Sequence, residues 1–115
     1  MKYLALLYGD QSKGPAPGTP EMDKMLEGYN NFFAEVSGNG VLQSGDPVQG
    51  PDAASTVRVR DGVSKATSGP FASGAEQVIG YYVLDCADQA EAEKYAAKIP
   101  AASSGAVEVR PILVM

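Results

Sequence analysis

The sequence predicts an α+β domain built on a ferredoxin-like split βαβ plan with an inserted β-hairpin. Three observations predict it. Short apolar runs at Lys2–Tyr8, Val78–Leu84 and Ala106–Met115 read as strands. Two segments with apolar residues at helical spacing fall after the first run and before the last. Between the two halves, Val57 and Val59 alternate with Arg58 and Arg60 ahead of Asp61-Gly62. An Asp-Gly pair flanked by such alternation is the strongest short hairpin signal. The order is thus β-α-β, hairpin, β-α-β, which is the split βαβ pattern with an insertion.

Each element has a local reason. "KYLALLY" is apolar at every second position on both of its faces and stops at Gly9-Asp10, so the first strand is expected to be covered on both sides. "QSKGPAPG" has no periodicity and reads as a loop. Thr19 then stands as an N-cap with Pro20 at the first helical position; Met22, Met25, Leu26, Tyr29, Phe32, Phe33 and Val36 form the apolar stripe, and Gly38-Asn39-Gly40 ends it. "GVLQSGDPV" is a strand interrupted by Gly45 and Pro47. Asp88 with Glu91 three residues on forms a capping pattern before Ala92, Tyr95, Ala96 and Ile99, and Pro100 is the expected stop. Pro111 cannot donate to a ladder, so the closing strand "AVEVRPILVM" belongs at an edge or an end.

Length and composition limit what such a domain can do. At 115 residues, the whole chain 1–115 is a single domain with one core. A net charge of −5 excludes nucleic acid and anionic membrane surfaces as partners. With no His and a single Cys86, the triad, Cys-His and zinc-hydrolase chemistries all fall away, and no metal or other cofactor is expected. No run is apolar for long enough to span a bilayer or act as a signal peptide, and one cysteine makes no internal disulfide, so a cytoplasmic protein is expected. Two helices cover only one face of a four-stranded sheet, yet the first strand is apolar on both. A face-to-face homodimer is therefore expected to cover the second face.

The blocks "MKYLALLYGD", "GVLQSGDPVQGPDAASTVRVRDG", "SGPFASGAEQVIGYYVLDCADQAEAEKYAAKIP" and "GAVEVRPI", in that order, resemble the YCII-related family, and within it the DGPF-domain branch. The resemblance implies a dimeric α+β barrel, small-molecule chemistry, and a genomic association with extracytoplasmic-function sigma factors. The branch motif reads Asp-Gly-Pro-Phe followed by a Glu-Thr-Lys-Glu run. Here Ser68 stands for the Asp, and Ser73, Gly74 and Ala75 replace the Glu, Thr and Lys, while Gly69, Pro70, Phe71, Ala72 and Glu76 match. The His-Asp pair of some family members has no counterpart in a chain without His.

The candidate site residues carry a plain reading beside a functional one. Gly69-Pro70 is a turn, and Phe71 is expected to plug the core beneath it. Glu76, just ahead of an apolar strand, is the best candidate acid or base, but an ion pair with Arg58, Arg60 or Arg110 is the simpler use of it. Tyr8 and Tyr81 sit near strand ends with hydroxyls at the rim, and Ser44 and Ser68 bond backbone in turns. Arg110, alone in an apolar strand, requires a carboxylate or an anion. Tyr8, Ser44, Ser68, Phe71, Glu76, Tyr81 and Arg110 together form the expected ligand-binding set. Two functions fit: a small-molecule site next to the loop Ser68–Glu76, or a non-catalytic regulatory module that acts through another protein, linked to sigma-factor signalling.

Overall fold

A computed structural model describes all residues, 1–115. Its main sheet is antiparallel, with the order β2-β5-β1-β6, where β1 is Lys2–Gly9, β2 Leu42–Pro47, β5 Gln77–Asp85 and β6 Ala106–Pro111. Helix α1, Pro20–Gly38, joins β1 to β2, and α2, Gln89–Ala96, followed by the one-turn α3, Ala101–Ser104, joins β5 to β6. Each helical connection therefore links two strands with a third lying between them, the split βαβ arrangement read from the sequence. The inserted hairpin pairs β3, Ser55–Arg60, with β4, Val63–Ser68, and forms a sheet of its own.

The caps are where the sequence placed them. Thr19 accepts a hydrogen bond from the Met22 amide at 3.3 Å with Pro20 next to it. Asp88 accepts from the Glu91 amide at 2.9 Å, and Glu91 accepts from the Ala87 amide at 3.4 Å. Asp61 and Gly62 both take positive φ, 52° and 75°, as a tight two-residue hairpin turn requires. Pro111 ends β6, which is an edge strand. Pro100 does more than stop α2: it caps α3, which periodicity over so few residues does not announce.

Alternation along β1 divides the sheet into two chemically different faces. Tyr3, Ala5 and Leu7 are buried against the helices with Phe32, Val36, Leu84, Ala92 and Ile99, and Phe32 meets Tyr82 with ring centroids 4.9 Å apart. Leu4, Leu6 and Tyr8 point the other way. Cross-strand register puts Val83 opposite Leu4, Tyr81 and Glu108 opposite Leu6, Arg110 opposite Leu4, and on β2 sets Ser44 beside Val83 and Asp46 beside Tyr81. No element covers this second face, and its members are half-buried or exposed. The α1 stripe is likewise only partly used, for Leu26 and Phe33 remain about half exposed.

The result is a thin slab, 47 × 42 × 18 Å. Its accessible surface is 7800 Å², against roughly 6,000 Å² for a compact monomer of its mass. The radius of gyration, 16.0 Å, likewise exceeds the roughly 13 Å of a compact domain of this length.

Candidate functional site

The chain between β4 and β5 is shaped by backbone and amide contacts. Gly69 donates to the Ala54 carbonyl at 2.8 Å, and Thr56 Oγ1 donates to the Gly69 carbonyl at 2.9 Å, which ties the start of the loop to the base of the hairpin. Gly69 and Gly74 have φ of 107° and 113°, values that a side chain would strain. The Gln77 side-chain amide donates to the carbonyls of Ala72 at 3.0 Å and Gly74 at 2.8 Å, closing the loop from its far end. Across from it, the Val48 amide donates to the Ile79 carbonyl at 3.1 Å, bringing the segment after β2 alongside.

Between these parts lies an open, groove-like cavity of about 990 Å³. Pro70, Phe71 and Ala72 form one wall, Val48–Gly50 and Ala53–Val57 another, and Gln77 and Val78 the floor. The lining is mainly apolar, with polar groups from Gln49, Ser55, Thr56 and Gln77. That balance of apolar wall and a few polar groups is typical of a small-molecule site. The Phe71 ring is 75% exposed, with the Arg58 guanidinium carbon 5.1 Å from its centroid.

This position corrects the expectation that Phe71 plugs the core. The loop is held by hydrogen bonds at Gly69 and Gln77, so its aromatic ring is free to face the cavity and Arg58. The expected ion pair of Glu76 is corrected as well. Arg110 pairs instead with Glu108 on its own strand, with its two nitrogens 2.8 and 2.9 Å from the carboxylate, because residues two apart on a strand share a face. Arg58 lies over Phe71, and Arg60 donates to the Val59 carbonyl. Glu76 has no ion-pair partner.

Glu76 lines a second cavity of about 620 Å³ with Asp10, Lys13, Met22, Met25, Tyr29 and Ile79, on the helix side of the sheet. Burial pushes the Tyr29 phenol above its ordinary range, with the Ala101 amide acting against that. Asp10 caps the turn Gln11–Lys13, accepting from the Ser12 hydroxyl at 2.6 Å and the Ser12 amide at 3.0 Å, and the hydroxyl contact holds its carboxyl below the usual range.

The expected binding set is therefore divided into three places. Tyr8, Ser44, Tyr81 and Arg110 share the open sheet face; Ser68 and Phe71 stand at the hairpin base and loop; Glu76 belongs to the second cavity. On the open face, the Tyr8 hydroxyl donates to Glu108 at 3.3 Å, and the Tyr81 hydroxyl donates to Asp46 at 2.9 Å, which raises the Tyr81 phenol pKa. Ser44 and Ser68 are exposed. Thr56 and Gln77, which shape the loop, carry no signal in the sequence beyond their places next to it.

Comparison with known proteins agrees with this fold. An uncharacterized protein of Rhizobium meliloti (strain 1021) is 32% identical over 114 residues, covering 97% of this chain and 92% of that protein. A solved structure of 5-chloro-2-hydroxyhydroquinone dehydrochlorinase from Burkholderia phenoliruptrix AC1100, in complex with 2,5-dihydroxybenzoquinone, aligns with a TM-score of 0.51 at 13% identity, covering 98% of this chain and 94% of that one. At that identity the likeness concerns the fold. No helix is long and apolar enough to cross a membrane. The YCII-related domain matches residues 1–115, the full span over which strands, caps and loop have been described, and the chain belongs to the YCII-related family.

Proposed function

We propose that this chain is a DGPF-type member of the family that works as a cytoplasmic homodimer and binds a small, flat organic molecule in the cavity beside the loop Ser68–Glu76. The observation that carries the reading is the cavity itself: about 990 Å³, at the upper end of the roughly 300–1,000 Å³ of small-molecule sites. The Phe71 ring is exposed on the cavity wall, and an aromatic face there can stack on a planar ligand. Arg58 beside it favours a ligand with an anionic or electron-rich oxygen. The structural neighbour's dihydroxybenzoquinone is a molecule of this class, which supports the reading by analogy of fold.

The dimer follows from the open sheet face. Stacking it on a second copy would form a dimeric α+β barrel, and it would cover Leu4, Leu6 and Val83. The free thiol of Cys86 is consistent with a reducing compartment. The branch assignment rests on the Gly69-Pro70-Phe71 turn and on Glu76, with Ser68 in the place of the motif Asp.

The experiment is a thermal-shift screen of small phenols, quinones and aromatic acids. At least one compound should raise the melting temperature of the wild type, and the same compound should have no effect on Phe71→Ala. A screen without hits, or a shift unchanged in Phe71→Ala, would overturn the site.

A further inference from the structure

The β3–β4 hairpin stands apart from the main sheet. Every residue of its two strands except Thr56 is exposed, and it pairs with no strand of the main sheet. An isolated two-stranded hairpin is marginally stable in water, so an arm of this kind gains order from what it rests on.

Its charges say what that is. One side carries Arg58, Arg60 and Lys65, and register sets Arg58 directly opposite Lys65. Like charges directly opposed across a hairpin destabilise it. None of the three forms a salt bridge, the chain's three ion pairs being Met1–Asp85, Lys98–Glu35 and Arg110–Glu108. With three cations against Asp61, residues 55–68 are net +2; since the whole chain is −5, the remainder is −7. A basic arm on an acidic body is complementary to a second copy of the same body.

The surface area leaves room for that occupant. The excess over a compact monomer, about 1,800 Å², is larger than the roughly 800 Å² per partner of a standard interface. It leaves room for a contact beyond a patch of that size on the sheet face.

We propose that the hairpin is a clasping arm whose Arg60 and Lys65 side rests on carboxylates of the acidic body of the second copy. The inference rests on the sheet-to-sheet dimer proposed above. Arg58 stays with Phe71 at the cavity mouth, so docking the arm also fixes the outer wall of that cavity.

The test is sedimentation of the wild type and of the double variant Arg60→Glu/Lys65→Glu at 50 and 500 mM NaCl, with circular dichroism to check the fold. The wild type should dimerise, with a dissociation constant that rises with salt; the variant's should be at least 10-fold higher at low salt and respond weakly to salt. A dimeric variant with the wild-type constant would overturn the arm and leave the sheet-face dimer standing. A monomeric wild type would remove both.

Discussion

Arg58 covers the ring of Phe71 at the mouth of the larger cavity, 5.1 Å from guanidinium carbon to centroid, and this pair couples the hairpin to the loop. The contact is at the surface, so the stability at stake is that of an exposed cation–π pair. Phe71→Ala should therefore cost about 0.5–1 kcal/mol in urea unfolding, far below the roughly 3–5 kcal/mol of emptying a core aromatic site. A loss in the larger range would mean that the ring is buried in solution. The same variant separates binding from folding, because its ligand response should vanish while its fold persists.

Leu6 tests the open face. It alternates with the buried Ala5 and Leu7 and points away from the helices, so Leu6→Asp leaves the core packed and places a charge on the uncovered side. The expected outcome is a wild type sedimenting as a dimer of about 24 kDa, twice 12.0 kDa, and a variant sedimenting as a folded monomer. Loss of the helical circular dichroism signal would instead place Leu6 in the core.

Gly105 should tolerate no side chain. A Cβ there would collide with the Tyr8 carbonyl oxygen and sit 3.2 Å from the Gly9 Cα, because the turn into β6 backs onto the end of β1. Backbone cannot swing aside as a side chain does. Gly105→Ala should destabilise by about 1–3 kcal/mol, the range of overpacking, read as a lower midpoint in denaturant; an unchanged midpoint would refute the close approach.

Cys86 predicts the alkaline limb of stability. The residue is 3% exposed, and burial, reinforced by Glu91 and Asp85, pushes the thiol pKa above the ordinary 9.0. The folded state thus holds the proton more tightly than the unfolded state. The stabilisation is fully present below pH 9.0 and is lost as pH rises from there through the folded value. Unfolding free energy should fall above pH 9, and Cys86→Ala should flatten that slope up to the range where Tyr29 and Tyr82, both raised from 10.0 by burial, begin to contribute. An identical slope in the variant would show that the thiol is not responsible.

Much of the fold was written locally. Thr19, Asp88 and Asp61-Gly62 act on backbone groups within a few residues of themselves, and the alternation of Leu4 and Leu6 with Ala5 and Leu7 states that β1 has two apolar faces wherever it lies. These are short-range consequences of dihedral preference and period, so the sequence by itself determined the element order, the split βαβ plan and the presence of a surplus apolar face. Which face the helices cover was not local: Leu6 and Leu7 are the same residue type, and only packing against Phe32 and Val36 separates them. The candidate site was decided the same way. Arg110 chose Glu108 over Glu76 because strand geometry put one carboxylate on its face and the loop carried the other to the far side of the sheet. Phe71 is apolar and so reads as core, but the hydrogen bonds of Gly69 and Gln77 fix the loop without it. Only the tertiary structure could decide this, since whether an apolar ring is buried depends on what the rest of the chain leaves beside it.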